Sequence, residues 1–175
     1  EINDFACTVA KTALWIAESQ TLKETSAIAG RAIDFLPLKT NAYIHEGNAL
    51  RLDWAEVIAP DKLNYIMGNP PFVGYKLQNA DQKADLEAVM PNFGSNIDYV
   101  AGWYFKASEL IQSKKIKAAF VSTNSITQGE QVSAVFKTLS ERFNIHVDFA
   151  HTTFIWNSEA QDKAHVHVVL SGSSQ

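Results

Sequence analysis

Four consecutive residues, Asn69-Pro70-Pro71-Phe72, combine groups that could do chemistry on a flat ligand carrying an amine. An exocyclic amine such as that of adenine is a poor nucleophile, because its lone pair is delocalised into the ring. The side-chain oxygen of Asn69 and the backbone carbonyl of Pro70 could accept its two N–H bonds and direct the lone pair at a methyl donor. The prolines hold both acceptors rigid, and Phe72 offers a flat face for stacking.

The position of this motif strengthens the chemical interpretation. Residues 63–67 form a compact apolar run closed by Gly68, which predicts a buried strand ending just before Asn69. Open α/β sheets bind ligands at the carboxyl ends of their strands. A base in a duplex would have to leave the stack to reach such a pocket. The alternative is a purely structural Pro-Pro turn after a strand.

Strand and helix patterns alternate along most of the chain, which implies an α/β fold with a mostly parallel sheet and a final antiparallel hairpin at the sheet edge. Asp4 and Asp98 are the predicted N-caps of the first helix and of the long third helix. A long arm over 151–164 is predicted between the last two strands. Helices are predicted over 4–20, 81–90, 97–114 and 130–143, and strands over 42–45, 63–67, 117–123, 145–149 and 166–170.

Composition limits the class of protein. The 175 residues, 46% of them apolar, are enough for one domain with its own core, and no apolar run reaches the ~18 residues of a membrane helix. A net charge of −4 argues against strong duplex binding by this segment alone. The basic group at 114–117 is interpreted as charge at a helix C-terminus. The single cysteine, Cys7, excludes an internal disulfide and any Cys-based zinc cluster, and it suits the cytoplasm.

The motif and its surroundings resemble the amino-methyltransferases that carry an Asn/Asp/Ser-Pro-Pro-aromatic loop, specifically the adenine-specific DNA methyltransferases of restriction–modification systems. The likeness is greatest to large single-chain restriction–methylation proteins and covers nearly the whole chain in order. It implies a Rossmann-like class I methyltransferase fold, S-adenosylmethionine as cofactor, and double-stranded DNA with one extruded adenine as substrate. By the same likeness, Asn69, Pro70, Pro71 and Phe72 form the catalytic loop.

The resemblance also implies cofactor contacts. Glu1, just ahead of the first helix, matches an acidic residue that binds the cofactor ribose hydroxyls. Asn48 and Ala49, within Glu46-Gly47-Asn48-Ala49-Leu50, match the loop that contacts the cofactor adenine, where the family often has Asp in place of Asn48. The resemblance also places Asn69 among the residues that contact the cofactor. The simpler alternatives to these cofactor contacts are that Glu1 is only a chain end and that Asn48 is only a turn residue.

A second aromatic contact with the target base also follows from the resemblance. Phe154, in the arm after the sixth strand of the family, matches an aromatic that packs on the other side of the base, with Trp156 as its competitor. The alternative is that Phe154 serves core or hairpin packing.

Two parts of the family pattern have no counterpart in this sequence: the glycine-rich loop after the first strand and the target-recognition domain. We therefore expect residues 1–175 to be a single partial catalytic domain of a larger polypeptide, incomplete at the N-terminus. Without the first two strands, the strand at 63–67 would have an unpaired apolar edge, and the isolated chain would bind S-adenosylmethionine poorly.

Other functions are compatible with the same residues. The motif also serves methylation of glutamine amides in proteins and of amino groups in structural RNA, whereas a non-catalytic nucleotide-binding module would give Asn69 no role. His165 and His167 share one face of a predicted strand, and His151 lies on its neighbour. We interpret them as partly exposed strand histidines and predict no metal site.

Overall fold

The computed structural model describes residues 1–30, 44–92, 96–112, 114–155 and 165–172, and only the backbone of residue 149 and of those beyond 150. The chain divides into two compact units, Glu1–Asp53 and Trp54–Gln175, and each is treated by itself below.

The first unit begins with one long helix, α1 (Asp4–Ala29). The N-cap is Asn3 and not the predicted Asp4, because the Asn3 side chain accepts a hydrogen bond from the Ala6 N–H at 3.0 Å. The helix runs past the predicted end at residue 20, since no proline or glycine interrupts it before Gly30, whose φ of 63° closes it. Cys7 is buried, as is usual for a free cysteine among apolar neighbours. None of the helices in the described ranges could cross a membrane.

The second unit carries the remaining helices and all the described strands. The predicted helix over 81–90 is α3, whose N-terminus has a capping box formed by Asn79 and Gln82. The predicted helix over 130–143 is α5 and α6 joined by one π-helical stretch, Ser133–Lys137. The elements in chain order are α2 (Trp54–Val57), β1 (Tyr65–Gly68), α3 (Ala80–Val89), α4 (Ala101–Ile111), β2 (Lys117–Ser122), α5 (Glu130–Val132), α6 (Thr138–Phe143), β3 (His146–Ile155) and β4 (His165–Gly172).

The four described strands form one sheet in the order β1-β2-β4-β3. β1 and β2 are parallel, while β4 is antiparallel to both β2 and β3, so three of the four strands share one direction. The predicted antiparallel hairpin is present, but its reversed strand lies inside the sheet and not at the edge. This placement arises because β4 pairs with β2 along six residue positions.

β1 lies at one edge of this sheet, as predicted, and Tyr65 and Met67 on it are exposed. Ile44 and His45, from the predicted strand at 42–45, belong to no strand, and the other two residues of that prediction lie outside the described part of the chain.

Helix α4 is the centre of the core. Its Tyr104 and Phe105 are almost fully buried, and their rings contact Phe120 at 5.1 Å and Phe143 at 5.9 Å between centroids. These aromatic contacts tie the helix to β2 and α6. Tyr104, Ala107 and Ile111, which recur at helical spacing, therefore lie on its core face.

Burial also raises the pKa of Tyr104 to about 12, despite a hydrogen bond to Ser122 that lowers it. The neutral phenol is thus favoured in the folded state. Below pH 10 both states carry the neutral phenol; as pH rises from 10 through 12, only the unfolded chain ionises, and stability falls by about 1.4 kcal/mol per pH unit. Urea denaturation over this range should show a smaller loss for Tyr104→Phe. Identical pH profiles for the two proteins would contradict the assignment.

Candidate active site

The predicted motif begins directly after β1, at its carboxyl end. Because β1 and β2 are parallel, the loops that follow them emerge at the same edge of the sheet. Gly68, the last residue of β1, pairs with Phe120, and a Cβ at this glycine would lie 3.3 Å from the Phe120 ring. The close approach of strand and ring explains why glycine precedes Asn69.

Within the loop, Pro70 is buried while Asn69, Pro71 and Phe72 are exposed. The Val73 N–H donates to the Pro71 carbonyl at 3.1 Å, which turns the chain tightly after the second proline. One buried proline therefore anchors a loop whose amide and ring are open to a ligand. The Phe72 side chain is 36% exposed, so part of its ring is available for stacking.

The residues after Phe72 are held by the segment before α4. The Tyr99 N–H donates to the Val73 carbonyl at 2.9 Å, and the Tyr75 N–H donates to Asp98 Oδ1 at 2.9 Å. The Gln78 side-chain amide donates to the Ile97 carbonyl at 2.7 Å. Three hydrogen bonds therefore fix the exit of the candidate loop on one short segment, residues 97–99.

Asp98 does not have the predicted helix-capping role. Helix α4 begins at Ala101, after the N-cap Val100, without a side-chain cap. The Asp98 carboxylate instead accepts hydrogen bonds from Tyr75, from the Ser125 hydroxyl and, at 3.5 Å, from the Thr123 hydroxyl. The sequence does not by itself indicate this role for the hydroxyls, although a polar run directly after a buried strand is a usable signal.

Phe154 lies on β3 and not in an arm beyond the strand. β3 continues to Ile155 across a register irregularity between His151 and Phe154, and the backbone of Phe154 pairs with Val166. The next residue on β4, His167, pairs with Ser122 at the carboxyl end of β2. The Phe154 backbone thus lies at the sheet edge that carries the loop. Its contact with a base stays a prediction, and Trp156 lies outside the described residues.

The three histidines are placed only by their backbones. His165 pairs with Ile155, His167 with Ser122 and His151 with Val168. Among the side chains that the structure describes, no group of three or more potential ligands could hold a metal ion. The side chains of these histidines are not among them, so their exposure stays a prediction.

In the first unit, the structure brings Glu1 and the predicted cofactor loop together. The Gly47 N–H donates to the Glu1 carbonyl at 2.7 Å, and the Glu1 ammonium group donates to the His45 carbonyl at 3.1 Å. The Glu1 carboxylate accepts from the Ile2 and Asn3 amides through Oε1. Glu1 is thus an ordered part of this unit next to the loop.

Asn48 forms a turn. Its side-chain oxygen accepts from the Leu50 N–H at 3.0 Å, and its carbonyl accepts from Arg51 and Leu52. Asn48 is therefore a turn residue, and Ala49 lies half-buried at the tip of the turn. A contact of Asn48 or Ala49 with a cofactor stays a prediction.

The basic group at 114–117 lies away from the candidate loop. Helix α4 ends at Ile111 with no basic residue in its last turn, so the interpretation as helix C-terminal charge is wrong. Lys117 starts β2, pairs in register with Tyr65, and forms a 3.1 Å ion pair with Asp148. It therefore lies at the amino ends of the parallel strands, opposite Asn69.

Comparisons with known proteins identify the family of this chain. The family described as MmeI, DNA-methyltransferase domain matches residues 1–175. DNA methyltransferase A of Bacillus subtilis (strain 168) is 40% identical over 177 residues, which cover 98% of this chain and 20% of the relative. A solved structure of the type IIL restriction-modification enzyme MmeI in complex with DNA is 44% identical, with a TM-score of 0.90 over 98% of this chain and 23% of that one. The chain thus spans about a fifth of the length of these relatives, and it belongs to the family of MmeI DNA-methyltransferase domains.

Proposed function

We propose that this chain is part of the catalytic domain of an adenine-specific DNA methyltransferase of a restriction–modification system. The observation that carries the proposal is the Asn69-Pro70-Pro71-Phe72 loop at the carboxyl end of a parallel strand, with Pro70 buried and Asn69 and Phe72 exposed. Family membership supports methyl transfer to DNA, and the loop supports an exocyclic amine as the acceptor.

In this proposal, the Asn69 side-chain oxygen and the Pro70 carbonyl accept the two N–H bonds of the adenine amine. The nitrogen then moves towards tetrahedral geometry, and its lone pair points at the methyl carbon. Phe72 stacks on the base, which must be extruded from the duplex. No strong base is needed, because alignment of the reacting atoms supplies most of the effect. Forming the N–CH3 bond would break the S–CH3 bond and leave a neutral thioether, and the cationic methylated nitrogen would then release one proton to solvent. Phe154 is the proposed contact for the other face of the base.

S-adenosylmethionine, when bound, supplies an electrophilic methyl group on a sulfonium. The first unit has groups that fit part of such a cofactor. Glu1 provides a carboxylate, the usual acceptor for ribose hydroxyls, and its main chain is hydrogen bonded to Gly47 of the loop. Asn48 and Ala49 form the adjacent turn, for which we propose the contact with the cofactor adenine.

We further propose that the fold is Rossmann-like and of the class I methyltransferase type. Its support is the parallel β1-β2 pair extended by the antiparallel β4-β3 hairpin. The relatives are about five times as long as this chain, so we propose that it acts within a longer polypeptide with double-stranded DNA as its partner.

The test is methyl transfer by the full-length protein from radiolabelled S-adenosylmethionine to duplex DNA, structural RNA and protein. Label should enter DNA, and nuclease digestion should release it as N6-methyladenine. A duplex of guanine and cytosine alone is the matched control and should take up no label. Label in that duplex would show an acceptor other than adenine, and label in RNA or in glutamine side chains would move the substrate to those classes.

A further inference from the structure

Asp98 is a buried carboxylate whose partners belong to two different loops. Asp98 is only 2% exposed and lies in the segment that precedes α4. One oxygen accepts from the Tyr75 N–H at 2.9 Å, three residues after Phe72. The other accepts from the hydroxyls of Thr123 and Ser125, which follow β2. Burial of a carboxylate is costly unless such donors satisfy it, so these contacts hold both loops to one point.

The backbone around Asp98 is fixed as well. The Asp98 N–H donates to the Gln131 side-chain oxygen at 3.1 Å, and the Tyr99 N–H donates to the Val73 carbonyl at 2.9 Å. Tyr99 also donates its hydroxyl to Asp85 on α3 at 2.7 Å. The carboxylate is therefore presented from a segment bonded to α3 and α5, and it reaches the exit of the candidate loop at Tyr75.

We infer that Asp98 is a positioning residue for the methyl-transfer loop, acting through Tyr75 on the exit of the loop and through Ser125 and Thr123 on the loop after β2. The inference rests on the proposed function. Its physical basis is that Phe72 is partly exposed and must present its ring to the base in one orientation. A displacement of about 1 Å in a positioning group can cost about a hundredfold in rate.

The contacts predict different results for two substitutions of Asp98 in the full-length enzyme. Asp98→Ala leaves the Tyr75 N–H without its acceptor and leaves the Thr123 and Ser125 hydroxyls bonded only to each other, so single-turnover methylation should fall about tenfold. Asp98→Asn keeps an oxygen for Tyr75, and its amide can donate to hydroxyls that rotate to accept. We expect it to restore the rate to within about threefold of the wild type.

Two further readouts separate positioning from a general loss of stability. Binding of S-adenosylmethionine, measured by calorimetry, should be unchanged in Asp98→Ala, whereas stacking of a fluorescent base analogue at the target position should weaken. Ser108→Ala is the control, because Ser108 is also a buried polar residue of the second unit but its hydroxyl donates to the Tyr104 carbonyl within α4, at 2.7 Å. It should stay within about threefold of the wild-type rate.

Ser125→Ala tests whether Ser125 and Asp98 act through the hydrogen bond that joins their side chains. It removes one donor to Asp98 and keeps the Tyr75 contact. If both residues act through one link, the double variant Asp98→Ala/Ser125→Ala should be no slower than Asp98→Ala, while multiplying effects would overturn the inference. Should Asp98→Ala not fold, Ser125→Ala alone tests the link: its single-turnover rate should fall, and a wild-type rate would overturn the inference.

The inference and the proposed function fail in different ways. An Asp98→Ala enzyme that methylates DNA at the wild-type rate would overturn the inference, provided that Asn69→Ala is inactive. An Asn69→Ala enzyme that remains active would instead overturn the proposed function.

Discussion

Asn69→Ala should abolish methylation by the full-length enzyme while leaving binding of S-adenosylmethionine largely intact. Alanine keeps the strand–loop geometry, which depends on the close packing of Gly68 and the burial of Pro70. It removes only the side-chain oxygen that is proposed to orient the amine. The substitution therefore removes stabilisation of the transition state and not of the bound cofactor. The rate should fall more than tenfold, which corresponds to a barrier raised by more than about 1.4 kcal/mol.

Two other variants make this prediction specific. Asn69→Asp keeps an acceptor oxygen and should retain more activity than alanine. Asn64→Ala is the matched control, because Asn64 is also an exposed asparagine but precedes β1 at its other end, where only its carbonyl accepts from Lys117. Single-turnover rates at saturating cofactor are the measurement. A loss of less than about tenfold for Asn69→Ala would show that the assigned role is wrong.

The position of the loop could be predicted from local pattern. An apolar run closed by Gly68 predicts a strand, and the Pro-Pro pair that follows can only be a rigid turn, so Asn69 is placed by sequence alone. The core face of α4 follows from its helical spacing in the same way. These predictions succeeded because the residues that determine each element lie close together in the sequence.

The role of Asp98 could not be predicted in this way. Its side-chain partners Tyr75 and Ser125 lie 23 and 27 residues away in the chain, and no spacing rule brings them together. An aspartate ahead of a helix suggests a cap, but here the helix starts two residues later than that role requires. The position of β4 is a similar case, because the pairing of β2 with β4 is decided by packing between distant segments.

The proposed cofactor contacts depend on the resemblance, because the local pattern around Asn48 indicates only a turn. The structure adds one independent observation, the 2.7 Å hydrogen bond from Gly47 to Glu1. Glu1 and a loop more than 40 residues away are thereby brought together within the first unit. This proximity supports the proposal that Glu1 contacts the ribose while the neighbouring loop contacts the adenine of the cofactor.

Phe72→Ala should weaken binding of the extruded base, whereas Phe72→Trp and Phe72→Tyr should keep much of the activity. Stacking of a base on an aromatic ring contributes about 1–3 kcal/mol, so the alanine variant should lose between about fivefold and about a hundredfold in base binding. Any flat ring can stack, and Phe72 is exposed enough for a larger ring to be accommodated.

A fluorescent base analogue at the target position measures this effect directly, because its emission depends on extrusion and on stacking in the pocket. Tyr65→Ala is the matched control: Tyr65 is an exposed aromatic at the amino end of β1, away from the loop. The control should give the wild-type signal, and the Phe72→Trp signal should differ from that of Phe72→Ala. If alanine and phenylalanine at position 72 gave equal extrusion signals, Phe72 would have no part in holding the base, and the stacking role would pass to another aromatic, of which Phe154 is the candidate at the same sheet edge.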